Sequence, residues 1–317
     1  MTGSVRRALV TGIFGQDGSY LALRLSQLGY SVLGTTHRSD APPTCRVLDR
    51  EFPVLRVDLA STDEVDALVR NERPDDIFNL AARASSAQLF DDAIASAEIN
   101  GVAVARFLEA IRRHSPGTRF CQASSREVFA GTDRSPQDET TPRAPLSAYG
   151  AAKAFGDHLV AAYRSTFGLH VCSAILYSHE SPRRPPHFLV RKVTQAAARA
   201  RAGSGIGVSL GDLGAVRDWG YAPDYVEAMR LMLQQGEPRD FVIATGVPHT
   251  VEDVCAAAFG HVGLDWRQHV RVDDKFKRAP DRVMAIGNSA RARAELGWRP
   301  TLDFEAMIAE MVEAEVV

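Results

Sequence analysis

A compact apolar run, Ala8-Leu9-Val10-Thr11, opens the chain and is closed by glycines; Tyr20, Leu21, Leu25 and Leu28 then recur at helical spacing until Gly29, a helix stop. That is a strand followed by a helix. Residues 31–36 and 54–59 pattern as the next strands, and Ser61-x-x-Glu64 is a capping box that opens a helix through Val69. Residues 77–82 and 119–123 are further buried strands, with a long helical pattern from about Ala93 to Arg113. Strand and helix alternating at this pitch predict an α/β fold, a doubly wound parallel sheet covered by helices on both faces. After Tyr177 the rhythm changes. Residues 181–186 are rich in Pro and Arg and lead into a helical pattern from Val190 to about Ala202, so a second, smaller domain is expected over residues 178–317. Residues 1–177 form the first domain, joined by a returning strand near 240–246.

Composition narrows the function classes. With 37 Lys plus Arg against 39 Asp plus Glu, the net charge of −2 gives no chain-wide basic field for nucleic acid or an anionic membrane. No apolar stretch approaches the ~20 residues of a membrane span, and the N-terminus has no signal-like apolar region. Cys45, Cys121, Cys172 and Cys255 are scattered without Cys-x-x-Cys spacing, so neither a disulfide framework nor a metal site is expected, and a reducing cytoplasm fits.

Chemistry first shows at the first strand-to-helix junction, Thr11-Gly12-Ile13-Phe14-Gly15-Gln16-Asp17-Gly18. Its glycine spacing suits a tight turn, close approach of a pyrophosphate to the backbone, and close packing of helix on sheet. This makes the sheet Rossmann-type. After the second strand stands Thr36-His37-Arg38-Ser39, with the first acid only at Asp40; a cation there favours the 2′-phosphate of NADP over the free ribose of NAD. Tyr149 and Lys153 are four residues apart, on one face of a helix, where the ammonium is expected to lower the phenol pKa and make it a general base. Upstream, Ser124-Ser125-Arg126-Glu127 places a hydroxyl at a strand end, and Glu127, two residues further, shares its side if the strand persists.

With these residues in hand the chain resembles the GDP-mannose 4,6-dehydratases, a branch of the extended short-chain dehydrogenases/reductases. The resemblance runs through TGIFGQDGSYL from Thr11, QASSREVF from Gln122, SAYGAAK from Ser147, SHESPRR from Ser178, VRKV from Val190, RDWGYAPDYVEAM from Arg217 and DFVIATG from Asp240. It implies catalytic roles for Ser125, Glu127, Tyr149 and Lys153. It implies cofactor contacts at Gly12, Phe14, Gly15, Gln16, Asp17, Gly18, Arg38, Asp58, Leu59, Leu80, Ala82, Tyr149, Lys153 and His179. Substrate contacts would fall on Ser85, Ser178, Val190, Lys192, Arg217 and Arg278, with Arg191 joining the cations that grip a diphosphate, a task arginine forks suit. Ser178 replaces the family's Asn, and Ala84-Ser85-Ser86 its Ser-His-Val, so the hexose stays open between a manno sugar and a heptose. The segment from His37 to Val57 is shorter than the family's and keeps one of two arginines; a homodimer is expected, a tetramer is not assumed.

The implied activity is NADP-dependent 4,6-dehydration of a GDP-hexose such as GDP-mannose, or of a GDP-heptose, through a 4-keto intermediate. Two alternatives stay open: a GDP-4-keto-sugar reductase or epimerase, which needs Tyr149 and Lys153 but not Glu127, and an inactive dinucleotide-binding protein.

Overall fold

The computed structural model describes residues 5–83, 92–204, 207–276 and 283–316; Ser85 and Arg278 lie outside them. In chain order the first half holds β1 (Arg7–Thr11), α1 (Gln16–Gln27), β2 (Ser31–Thr36), β3 (Thr44–Val47), β4 (Arg50–Arg56), α2 (Thr62–Glu72), β5 (Asp76–Asn79), α3 (Ala93–Ala97), α4 (Ala103–His114), β6 (Arg119–Ser125), α5 (Ala148–Phe167) and β7 (Val171–Leu176). The second half holds β8 (Ser178–Glu180), α6 (Leu189–Arg201), β9 (Val208–Leu210), β10 (Val216–Tyr221), α7 (Ala222–Gln234), β11 (Phe241–Ile243), β12 (Pro248–Thr250), α8 (Val251–His261), β13 (Val270–Val272), α9 (Ala290–Glu295) and α10 (Phe304–Glu313).

Among the described residues an eight-stranded sheet runs β11-β7-β6-β5-β1-β2-β4-β3, parallel throughout except for β3 at the edge. The fold class is therefore as expected from the alternation of strand and helix. One apolar layer packs α1 and α7 on the sheet through Leu21, Leu25, Met229 and Leu233; the opposite layer uses Val65 and Val69 of α2, Phe107 and Ile111 of α4, and Val160 of α5. A separate core unites α6, α8 and α10 through Val193, Phe259 and Met311.

Several boundaries differ from the sequence reading, each for a local reason. β5 ends at Asn79 because the Thr11 hydroxyl draws the next two amides, Leu80 and Ala81, out of the ladder at 2.9 Å each. β4 begins earlier and stops at Arg56, since it pairs with β3 in an antiparallel hairpin and Asp58 closes a turn by accepting from the Ala60 amide at 2.9 Å. Ser61 caps α2 by accepting from the Glu64 amide, but the Glu64 carboxylate returns to the Asp58 amide at 2.8 Å, so the reciprocal half of the capping box is absent. The long helix between residues 93 and 114 contains a π-helical turn, Glu98–Val102.

Parallel strands bring their carboxyl ends to one edge, and buried side chains lace that edge together. Thr11 Oγ1 donates to Asn79 Oδ1 at 2.8 Å, and Asn79 Nδ2 donates to Gln122 Oε1 at 2.7 Å, linking β1, β5 and β6 just below the loops. In an open α/β sheet this is the edge where ligands bind.

Candidate active site

The glycine loop sits at the centre of that edge. Gly12 has φ +68°, and a Cβ on Gly18 would lie 2.4 Å from the Gly12 carbonyl oxygen, so the loop can close against α1 only with hydrogen there. Gly15 is the N-cap of α1 and no side chain caps the first turn, which leaves its amides directed outward as anion donors. These features fit the pyrophosphate of a dinucleotide.

Behind the loop, Asp17 and His179 bind each other. His179 Nδ1 lies 2.7 Å from the Tyr177 carbonyl oxygen and Nε2 lies 2.9 Å from Asp17 Oδ2. Both partners are acceptors, an arrangement that favours hydrogen on both ring nitrogens. Burial opposes the positive charge of that form, but the Asp17 carboxylate outweighs it and holds the His179 pKa above its ordinary value. Burial likewise pushes Asp17 upward, and His179 more than reverses it. Gln16 completes the joint: Nε2 donates to the His179 carbonyl at 3.1 Å, and Oε1 accepts from Ser181 Oγ at 2.8 Å. Asp58, Leu59, Leu80 and Ala82 follow β4 and β5 along the same edge. Arg38, by contrast, is ion-paired with Asp40 at 3.0 Å. A polar cleft nearby is lined by His37, Arg56, Asp58 and Glu64.

Ser125 ends β6, and its Oγ accepts from the Glu127 amide at 3.3 Å to cap a 3₁₀ turn, Arg126–Phe129. Glu127 is therefore on a turn, and the strand alternation expected to align it with Ser125 does not reach it. The capping bond holds the two residues together instead. Glu127 Oε1 is paired with Arg126 at 2.7 Å. α5 begins against this turn: Ser147 caps it by accepting from the Gly150 amide at 3.0 Å, and a Cβ on Gly150 would lie 2.7 Å from the Glu127 carbonyl oxygen.

From that start Tyr149 is hydrogen-bonded to Ser125, and Lys153 Nζ lies 5.8 Å from the Tyr149 ring centre while donating to the Ala123 carbonyl at 2.7 Å. The expected drop in the phenol pKa is not what the structure shows. Burial pushes Tyr149 up to about 12; the Ser125 hydrogen bond pulls it down, the Glu127 carboxylate up, and the Arg184 guanidinium down. Lys153, 2% exposed, is itself brought down to about 8 by burial. One turn further Asp157 is pushed up to about 6 by burial, while Ser124 Oγ donates to its Oδ2 at 2.8 Å.

Sequence reasoning missed Arg184. Its Nε lies 3.2 Å from Glu180 Oε2, its guanidinium stacks 3.6 Å over Phe188, and its charge acts on Tyr149, Asp17 and His179. The only signal was the basic pair in SHESPRR.

On the substrate side the described residues inferred from resemblance each have contacts within the protein. Val190 is 1% exposed and its side chain belongs to the second core, so it offers only backbone. Arg191 pairs with Glu315 and donates to the Pro182 carbonyl. Lys192 Nζ lies 5.7 Å over the Phe276 ring, and Arg217 donates to the Val216 carbonyl at 2.7 Å. Ser178 opens β8, paired in register with Trp219. All four cysteines are free and buried; among the described residues no group of acidic, His and Cys side chains converges as for a metal, and no helix is long and apolar enough to cross a membrane.

A UDP-glucose 4-epimerase from Thermotoga maritima, solved with UDP-glucose, superposes with a TM-score of 0.86 at 25% identity, covering 97% of this chain and 98% of that one. A Thermus thermophilus UDP-glucose 4-epimerase in complex with NAD gives 0.82 at 28% identity, with 97% and 98% covered. The fold agrees with both neighbours, and the NAD of the second supports a nicotinamide cofactor for this fold. In sequence, GDP-mannose 4,6 dehydratase 1 of Arabidopsis thaliana is 38% identical over 98% of this chain and 89% of its own length, and the Homo sapiens GDP-mannose 4,6 dehydratase is 37% identical over 98% and 91%. Residues 9–311 match the family described as GDP-mannose 4,6 dehydratase, and the chain belongs to that family.

Proposed function

We propose that the protein is an NADP-dependent 4,6-dehydratase of a GDP-bound sugar, either GDP-mannose or a GDP-heptose. The observation that carries this reading is the placing of a carboxylate, Glu127, on the turn that Ser125 caps, beside the Tyr149 and Lys153 helix start. An alcohol oxidation needs only the hydroxyl pair and the lysine; loss of water needs an additional acid or base.

A bound nicotinamide would supply the hydride acceptor for C4 of the sugar and the hydride donor for C6. Gly12, Phe14, Gly15 and Gly18, with the first-turn amides of α1, hold its pyrophosphate, and the Gln16, Asp17 and His179 joint keeps that loop fixed against β8. Tyr149, hydrogen-bonded to Ser125, accepts the C4 hydroxyl proton as phenolate, a form that the Ser125 bond and the Arg184 charge favour against burial, while Lys153 is anchored on the Ala123 carbonyl. The resulting 4-ketone acidifies C5. Glu127 takes the C5 proton and returns it to the departing 6-hydroxyl, which leaves as water. Arg191, Lys192 and Arg217 supply the positive charge for the diphosphate and Ser178 contacts the sugar; Arg278 and Ser85, assigned to the same two tasks by resemblance, are beyond the described residues.

Residues 1–177, with the returning strand, hold the dinucleotide, and residues 178–317 mainly hold the nucleotide sugar. We further read the protein as a cytoplasmic homodimer: the cysteines are unpaired, and Ile94 of α3 and Phe155 of α5 expose apolar surface on neighbouring helices. The test of the activity is incubation with candidate GDP-sugars. Loss of one water with no net change in reduced-cofactor absorbance is expected. Net cofactor consumption points to the reductase, and an isomer of unchanged mass to the epimerase.

A further inference from the structure

We propose that Arg56, assisted by His37, reads the 2′-phosphate of the cofactor, in place of Arg38. This inference rests on the NADP reading above and assigns it to different residues.

Arg38 stands where the sequence pattern puts the phosphate ligand, but Asp40 already occupies it: Nη2 to Oδ2 is 3.0 Å, and Nε also donates to Oδ1 at 3.2 Å. Binding a phosphate there would break a two-point ion pair and bring the anion beside an aspartate. Arg56 is the last residue of β4 and lies in register with Thr36, the last residue of β2, so it reaches the same corner from the neighbouring strand. Strand alternation settles its direction. Phe52 and Val54 pack in the core layer of Ile13, Leu21 and Leu25, so Arg56, two residues on, faces the side of the sheet that carries the glycine loop and α1. Its guanidinium has no hydrogen-bond or ion-pair partner among the described residues, and it lines the cleft with His37.

The two acids of that cleft do not cancel it. Glu64 Oε2 accepts from the Asp58 amide and Asp58 Oδ1 from the Ala60 amide, so both carboxylates are engaged in holding the turn after β4. Both still line the cleft, but neither is paired with Arg56, which is the cation there beside the His37 imidazole. An arginine fork against a phosphate dianion is the pairing this chemistry favours.

The experiment is titration calorimetry of NADP⁺, NAD⁺, 2′,5′-ADP and 5′-AMP against the wild type and the Arg56→Ala, Arg56→Lys, His37→Ala and Arg38→Ala variants. Arg56→Ala is expected to weaken NADP⁺ and 2′,5′-ADP by roughly 10- to 100-fold, the loss of a charge-assisted phosphate contact, while NAD⁺ and 5′-AMP bind as before and report an intact fold. Arg56→Lys restores part of the loss, and His37→Ala costs less. If Arg38→Ala instead removes the preference and Arg56→Ala leaves it intact, the assignment is overturned while the NADP reading survives. If the wild type itself binds NAD⁺ as tightly as NADP⁺, the NADP reading fails first.

Discussion

Helices α5 and α6 each carry a short block of functional side chains, and they differ in how much of the work is done before a ligand arrives. On α5, Tyr149 and Lys153 are held by Ser125 and by the Ala123 carbonyl, both on β6, and Ser147 fixes the helix start. On α6, Val190 turns into the core, Arg191 is taken by Glu315 and Lys192 rests on an aromatic ring. On the proposed function, the reacting end is built into the sheet, whereas the diphosphate end has to exchange protein partners for substrate. Reaction geometry tolerates little displacement, so rigidity belongs at α5. A charged grip that trades one anion for another loses little by being provisional.

The sharpest way to break this contrast is on the rigid side. Tyr149→Phe should reduce turnover by roughly 10²–10⁴, the usual loss with a general acid or base, with little change in GDP binding by calorimetry. A Phe variant that keeps near-parental turnover would remove the phenol from the reaction.

On the provisional side, smaller and opposite effects are expected. Arg191→Ala should raise KM for the GDP-sugar about tenfold or more with kcat nearly kept, as loss of one charged phosphate contact does. Glu315→Gln, which frees Arg191 without removing it, should instead lower KM. If both substitutions leave KM unchanged, Arg191 belongs to the Glu315 contact alone and the grip lies elsewhere.

A stability effect sharpens the view of α5 as a buried charged helix. Asp157 is 3% exposed and holds its proton to about 6, above its ordinary 3.8. A raised acid stabilises the native state below its unfolded pKa, and that contribution is lost as pH rises through the folded value. The wild type should therefore lose stability between pH 3.8 and about 6 relative to Asp157→Asn, by an amount of order 2–3 kcal/mol for a shift of this size. Lys153 behaves with the opposite sign at high pH: its pKa is lowered to about 8, so its contribution is present above its ordinary 10.5 and lost as pH falls through about 8. Chemical denaturation of both proteins across pH 4 to 7 reads the Asp157 term directly, and parallel curves would contradict it.

What the sequence made legible follows the same division. The glycine loop, the α5 pair and the returning strand β11 all follow from local periodicity or spacing, because backbone geometry alone brings those residues to the carboxyl edge. The β3–β4 hairpin was hidden: its tight connection at Leu48 uses a non-glycine residue at φ +55°, where the usual Asn-Gly signal would stand. Glu127 was found, but for a reason the structure replaces, since a capping bond and not strand alternation keeps it beside Ser125. Partners distant in sequence were not legible at all: Glu315 on Arg191, Asp17 on His179, and the neighbouring-strand position of Arg56.

In the proposed mechanism, Glu127 decides whether this constellation dehydrates or only oxidises and reduces. The most direct measurement is single-turnover reaction of Glu127→Gln with the GDP-sugar, following reduced-cofactor absorbance and product mass together. Oxidation at C4 should persist, reduced cofactor should accumulate, and water loss should fall by ~10²–10⁴. A Glu127→Gln protein that releases water at the parental rate, or one that loses only thermal stability through its broken Arg126 pair, contradicts the dehydratase mechanism.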